Sequence, residues 1–501
     1  MSESLAAEPS VPQQVSAQPV APPQRIAAID VARGVALLGI FCVNIHYMGE
    51  ASGTYFDHVP PVTADALSQG AWYFYKTICE GKFYPLFATL FGAGLAIQFE
   101  RARQRAAADP SRGPHSKWSI WWAHPIRRLI ALLFIGLVHG LLIWFGDILV
   151  VYAVLGFAML LLVRLSVRGL IIVAGALAAI SSFLLLLGVL AVAISGTFPR
   201  PGAADRVPAS QTTAATPAPS GDATTASSPA ADAAPAPDTT NAANTASQKP
   251  AFVIDDRPPF DQIIGGFKQR TLTGPWDQPY RELETRALRD GPFSQLFALR
   301  ALGWLMAFIF TLFSGGPPIL ALFCLGAILI KSDLFHPSRE PLHRRLSLIG
   351  LLLGLPIAVA TVWVKPLSES HAWAALLYGF GLTFGGPLLT MGYLFTIVRW
   401  THAGVCARIA RLFADAGRMA LTTYLLCSIL GTAVFYYWGL GWFGQTTAFE
   451  RFGILAVIFA SVVLFAHLWL KHFAFGPAEW LWRSVTYLKL QPLRTKSGGD
   501  E

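Results

Sequence analysis

Residues 27–48 read AAIDVARGVALLGIFCVNIHYM, an apolar run that carries Asp30, Arg33 and Asn44. A helix of about 20 mostly apolar residues is long enough to cross a bilayer, and similar runs recur as far as residue 474. Hydrophobic residues make up 54% of the 501 residues and charged residues only 13%, whereas roughly a quarter of a soluble domain is charged. The sequence therefore predicts an all-α, polytopic transmembrane helical bundle that contacts membrane lipids.

The apolar runs form two groups on either side of a long polar stretch. The first group predicts crossings near 27–48, 83–99, 129–145, 148–164 and 170–195. The second predicts apolar segments near 295–314, 317–331, 346–364, 373–398, 418–438 and 452–472. Residues 313–318, FSGGPP, indicate a break, so we expect a re-entrant pair or a membrane-surface piece there. The total is then about ten crossings.

Lysine and arginine are concentrated within four stretches, at 101–128, 331–345, 399–418 and 483–496. Short cytoplasmic loops retain these residues, which predicts an inner-membrane protein with both termini in the cytoplasm. The same bias accounts for the net charge of +9, so no nucleic-acid partner is needed.

These features divide the chain into five parts. Residues 197–250 are mostly Ala, Pro, Thr and Ser, a composition that buries too little apolar surface to offset the entropy of ordering. We therefore predict a disordered tail at 1–24 and a first bundle at 25–196. A linker at 197–294 is expected outside the cytoplasm, disordered and then partly helical. A second bundle at 295–474 and a basic cytoplasmic tail at 475–501 follow.

The first helix carries a polar stripe. At 100° per residue, Asn44 falls about 40° from Asp30 and Arg33 about 60° from it, on the same side. Ionisable groups are costly inside a membrane and often mark function. The stripe is explained equally well if Asp30 and Arg33 form an i,i+3 ion pair and Asn44 has only a structural role.

A second cluster contains His139 and Asp147. His139 lies about 18 Å from the end of its helix marked by Arg127 and Arg128, at a depth similar to that of Asn44. A histidine there can act as a general base, with Asn44 orienting it or stabilising an oxyanion, or it can simply bond neighbouring helices. Asp147 either has a functional role or caps the helix that begins at Ile148.

Other polar residues give weaker signals. Lys82 is either functional or an interfacial cation that snorkels, and His58 lies in an expected loop. The five cysteines have no close spacing, which argues against a metal site. No nucleotide-binding motif appears, so we expect no tightly bound cofactor.

Several strings resemble the YeiB-like proteins, named for domain of unknown function 418. They span most of the chain outside 197–294, and their shared order is specific. They lie at 25–44, 81–83, 90–94, 139–140, 146–149, 417–422 and 476–483.

The first helices of that family are in turn similar to transmembrane acyltransferases such as the lysosomal heparan glucosaminide N-acetyltransferase. There an Asn near the end of the first core helix and a nearby loop His serve catalysis. Asn44 matches the first, and either His139 or His58 matches the second. The resemblance implies transfer of an acyl group from a cytoplasmic acyl-CoA-type donor to an extracytoplasmic sugar or lipid-linked acceptor.

In this enzyme interpretation, the donor phosphates bind near Asp30, Arg33, Arg127 and Arg128. Two alternatives remain from the sequence. The same polar stripe is expected in a transporter or permease component, and a membrane scaffold would use it only to hold helices together.

Overall fold

The computed structural model describes residues 27–53, 64–108, 114–195, 252–272, 274–275, 277–369 and 371–494. The expected disordered segments, 1–24 and 197–250, and His58 lie outside these residues. The part described is helical throughout, with no strand longer than a single bridge. This confirms the all-α fold class.

The helices of the first half, in chain order, are α1 Ala27–Gly49, α2 Ala66–Phe74, α3 Phe83–Ala108, α4 Pro114–Val138, α5 Leu149–Leu162, α6 Val167–Ser195, α7 Pro259–Lys268 and α8 Gln278–Asp290. Those of the second half are α9 Phe293–Phe310, α10 Gly316–Lys331, α11 Glu340–Val364, α12 Ala372–Phe380, α13 Gly386–His402, α14 Ala407–Arg418, α15 Ala420–Phe435, α16 Ala448–Trp469 and α17 Pro477–Tyr487. Single π-helical turns occur at Tyr75–Cys79, His139–Ile143, Thr311–Gly315 and Gly381–Gly385.

Seven helical segments in the described ranges are long and apolar enough to cross a membrane. The pair α14–α15, bent by 87°, makes an eighth if it is one span. The shorter apolar helix α5 and helix α3 pack between these spans, and with both included the path agrees with about ten crossings. Ile172, Leu352 and Val457 are each more than two-thirds exposed on α6, α11 and α16, as expected for surfaces that contact lipid.

The predicted break at residues 313–318 is wrong. Phe293–Lys331 forms one span, in which the π turn Thr311–Gly315 joins α9 to α10. Pro317 and Pro318 lie in the first turn of α10, where a helix tolerates proline because the missing N–H has no partner there. One crossing replaces the two segments near 295–314 and 317–331. With one crossing instead of two, the basic stretch 331–345 lies on the same side of the bundle as the other basic stretches.

Contacts between chain segments define two ends of the bundle. At the first, which we call the basic end, Lys331 Nζ lies 3.7 Å from Glu100 Oε1 and donates to the Leu165 carbonyl at 2.8 Å. At the other, which we call the opposite end, Gly444 N donates to Gly49 O at 2.8 Å. Helices α7 and α8 pack against each other at this opposite end.

Helix α1 lies at the centre, in contact with α3, α13, α14, α15 and α16. Two glycines allow its closest approach. A Cβ on Gly34 would lie 2.0 Å from the Phe413 carbonyl oxygen, and one on Gly417 would lie 1.9 Å from the Asp30 carbonyl oxygen. Small residues let helix backbones meet in membranes, and here they bring α14 directly against the polar stripe.

Helix α8 is attached to the end of α1 by Glu284. Its Oε2 accepts hydrogen bonds from Ser52 N at 2.8 Å and Ser52 Oγ at 3.0 Å. The titratable groups of Tyr280, Arg281 and Tyr436 also interact with it. Burial raises the pKa of Glu284 to about 7. Because this exceeds the ordinary value of about 4.3, the folded state binds the proton more tightly and loses stability as pH rises between the two values.

We therefore expect the attachment of α8 to weaken from about pH 4 to pH 7 and to stay constant above that range. Hydrogen exchange of residues 278–290 measures it. Glu284→Gln should abolish the slope, because an amide oxygen can still accept from Ser52 but does not titrate. Glu282→Gln is the control on the exposed side of the same helix. An unchanged slope in Glu284→Gln would contradict the assignment.

Candidate functional site

The chemistry of the site begins with His139 and Asp147, both fully buried. His139 Nδ1 lies 2.9 Å from Asp147 Oδ1, and Asp147 Oδ2 accepts a hydrogen bond from Val150 N at 2.9 Å. Asp147 thus both caps the start of α5 and binds the histidine, so the two roles considered from sequence coexist. A carboxylate at Nδ1 favours the tautomer with the proton there, which leaves the lone pair on Nε2.

A π turn places His139 where α4 ends. Trp144 N donates to the His139 carbonyl at 2.9 Å, five residues back. Turns of this kind are frequent at functional sites because they widen the helix locally. Gly140 is required beside it, since a Cβ there would lie 2.3 Å from the indole of Trp304.

The other ring nitrogen, Nε2 of His139, has no hydrogen-bond partner among the described residues. The Tyr424 ring lies 4.9 Å from the histidine ring, and its hydroxyl faces the Ile148 backbone. Leaving a buried polar group unpaired costs about 1–3 kcal/mol. His139 Nε2 therefore remains able to accept a hydrogen bond or a proton.

Asn44 lines a small cavity between α1 and α15, together with Phe41, Tyr424 and Ser428. The volume of about 10 Å³ is near the minimum for a single water molecule. His139 is not among its lining residues, so Asn44 and His139 are linked through Tyr424. That tyrosine was not identified from the sequence, because nothing local indicates which side of α15 faces α4.

At the basic end, Asp30 and Arg33 form the expected pair, with Arg33 Nη1 3.3 Å from Asp30 Oδ1. The guanidinium of Arg128 stacks over Trp482 at 4.1 Å and is subject to the charges of Arg33 and Arg483. We call Arg33, Arg128 and Arg483 the arginine cluster.

Two arginines of the arginine cluster, Arg128 and Arg483, have no carboxylate within ion-pair distance in the described part of the chain. Arg483 stacks on Phe475 at 4.4 Å instead. Arg127 bonds the Ala123 carbonyl of its own helix, and it is not part of the cluster. The guanidinium groups of Arg128 and Arg483 are therefore available to bind an anion.

Helix α17 joins this site because Glu479 caps α15. The buried carboxylate accepts from Leu421 N at 2.6 Å, from Thr422 N at 3.1 Å and from Thr422 Oγ1 at 2.6 Å. Trp482 Nε1 then donates to the Arg128 carbonyl at 2.7 Å. The strings 417–422 and 476–483 were noted in the sequence without a role. The Glu479 contact gives both strings a structural role.

Lys82 lies at the opposite end and does not snorkel. Its side chain is buried, and its ammonium donates to the Lys76 carbonyl at 3.0 Å. No group of three or more potential metal ligands of the His, Cys, Asp or Glu type occurs among the described residues.

Comparison with known proteins gives a family but no activity. The family model described as "Protein of unknown function (DUF418)" matches residues 329–489. The "Uncharacterized protein YxaH" of Bacillus subtilis (strain 168) is 28% identical over 96% of this chain and 99% of its own length. The "Uncharacterized protein YeiB" of Escherichia coli (strain K12) is 27% identical over 95% of this chain and 99% of its own length. No solved structure matches.

The family model covers the chain from the end of α10 to α17, including both the Glu479 cap and Arg483. The two relatives extend the likeness over α1, α4 and the rest of the bundle. Residues 329–489 therefore match the DUF418 family model, and the chain is similar to YeiB-like proteins over nearly its full length.

Proposed function

We propose that this protein is a membrane acyltransferase that moves an acyl group from an acyl-CoA-type donor to a sugar or lipid-linked acceptor. The observation that carries the proposal is the buried pair of His139 and Asp147, with Nε2 of the histidine unpartnered. A carboxylate that orients an imidazole in this way is the arrangement of a general base in acyl transfer.

The reaction follows from this geometry. His139 Nε2 takes the proton of an acceptor hydroxyl as the acceptor oxygen forms a bond to the thioester carbonyl carbon. The C–S bond then breaks, and the departing sulfur takes the proton back from the imidazolium. Asp147 stabilises that imidazolium, and the Asn44 amide would donate a hydrogen bond to the carbonyl oxygen while it carries negative charge.

The arginine cluster suits the phosphates of the donor. Arg128 and His139 lie on one helical path, eleven residues and about 16 Å apart, a span that suits the flexible arm between the phosphates and the sulfur of a CoA thioester. Because arginine and lysine favour cytoplasmic loops, the proposal places the basic end in the cytoplasm and the opposite end outside it. The acceptor would then approach from outside.

The test is thioester consumption in sealed membrane vesicles of both orientations, with a panel of sugar and lipid-linked acceptors. Acyl-CoA added to inside-out vesicles should be consumed, and right-side-out vesicles should be inactive. Arg128→Gln and Arg483→Gln should each weaken acyl-CoA binding by about tenfold or more, as for a lost charged hydrogen bond. Arg127→Gln is the matched control and should bind normally.

Absence of acyl-CoA binding by the wild type, or binding that survives neutralisation of Arg33, Arg128 and Arg483 together, would contradict the proposal. The transporter interpretation would then replace it, because the same polar stripe along α1 would serve a substrate path without bond chemistry.

A further inference from the structure

Two lysines are buried at the opposite end, and only the first of them pairs with Glu80. Lys76, in the π turn Tyr75–Cys79, is 2% exposed and donates to Glu80 Oε1 at 2.8 Å. Its ammonium also lies 5.8, 5.5 and 5.2 Å from the ring centroids of Tyr47, Trp72 and Tyr75. The hydroxyl of Tyr47 donates to the same Glu80 oxygen, so this carboxylate is already engaged.

Lys82 follows six residues later and has no carboxylate partner in the described residues. An ammonium carries three donors, and the bond to the Lys76 carbonyl accounts for one of them. Gly81, with a φ of +78°, makes the turn between Glu80 and Lys82. That left-handed conformation favours glycine, which explains the glycine of the GKF string at 81–83.

His46 adds two ring nitrogens that are able to form hydrogen bonds beside the lysines. It is 2% exposed, and neither ring nitrogen has a hydrogen-bond partner among the described residues. Its ring stacks on Tyr75 at 4.0 Å, the same ring that lies beside the Lys76 ammonium. Phe452 covers another side at 5.3 Å.

This concentration of donors is costly unless something compensates for it. A buried charge needs a partner, and lysines near a membrane surface ordinarily reach toward water. Lys76 has only the Glu80 carboxylate, which Tyr47 also engages, and Lys82 has no carboxylate partner among the described residues. Of the Glu80 side chain beside them, 28% is exposed. The excess of donors over acceptors therefore indicates an anionic ligand that enters beside Glu80.

We infer that Lys76 and Lys82, with Tyr47 and His46, bind the phosphate group of a ligand, and that the Glu80 carboxylate occupies Lys76 when the ligand is absent. Lysine is a frequent phosphate ligand in proteins. The phosphate belongs either to a soluble compound or to a lipid headgroup. The inference does not depend on acyl transfer, because none of these residues belongs to the His139–Asp147 pair or to the arginine cluster.

The test uses the full chain in phosphatidylcholine nanodiscs, titrated with inorganic pyrophosphate, and in nanodiscs that contain dioleoyl phosphatidate. Calorimetry gives the affinity for pyrophosphate, and native mass spectrometry counts the phosphatidate molecules retained. Lys82→Gln should weaken the binding of one phosphate by about 10–100-fold, as for a lost charge-assisted hydrogen bond. Lys82→Arg should restore it.

Two further variants separate this site from the arginine cluster and from misfolding. Arg483→Gln should leave the Lys82-dependent binding unchanged. Glu80→Gln should strengthen binding, because it removes the competing carboxylate, and a folding defect would not have that effect. A response to pyrophosphate assigns a soluble ligand, and a response to phosphatidate alone assigns a lipid headgroup. Identical binding by wild type and Lys82→Gln with both probes would overturn the inference.

Discussion

His139→Ala is expected to lower acyl transfer by about 10²–10⁴-fold, the usual contribution of a general base. Because the substitution also removes the Nδ1 bond to the buried Asp147, some loss of stability and protein yield is expected, and the rate is therefore counted per folded molecule. Nε2 itself has no hydrogen-bond partner among the described residues, so the loss of rate reports its chemistry. Initial rates of thioester consumption per folded molecule, over a range of acyl-CoA concentrations, measure the effect.

Two companion variants locate the cause of that loss. Asp147→Asn should reduce the rate comparably, because the amide can still cap Val150 N but no longer stabilises the imidazolium. Asn44→Ala should cost about 10²–10³-fold if its amide stabilises the oxyanion. A purely structural role predicts the reverse: lower thermal midpoints for all three variants with unchanged turnover per folded molecule.

Glu479→Ala is expected to lower the free energy of unfolding by about 3 kcal/mol or more. It leaves the Leu421 and Thr422 amides and the Thr422 hydroxyl without their acceptor, at about 1–3 kcal/mol for each buried group. Detachment of α17 should also carry Arg483 away from Arg128. The measurements are the thermal midpoint in detergent and protease cleavage within residues 471–494.

Glu479→Gln is the matched control, because its amide oxygen can still accept from both backbone N–H groups. It should retain most of the stability. If Glu479→Ala were as stable as the wild type, with α17 still protected from protease, α15 would not depend on this cap.

The all-α membrane fold was predictable because its signals are local. Hydrophobic length and the positions of Lys and Arg indicate a crossing without knowledge of its neighbours. Helix periodicity likewise placed Asp30 and Arg33 on one side of α1, as their 3.3 Å contact confirms. The same local reasoning failed at residues 313–318, because prolines in the first turn of a helix look like a break until the π turn before them is seen.

Tertiary structure decided which polar groups meet. The sequence placed His139 and Asn44 at one depth, but helix packing pairs His139 with Asp147 and inserts Tyr424 beside Asn44. Arg483 joins the arginine cluster only because Glu479 holds α17 against the start of α15. Periodicity determines the direction of a side chain about its own helix axis, whereas its partner depends on contacts with residues of other chain segments, which lie 8 positions away for His139 and Asp147 and 354 for Arg128 and Trp482.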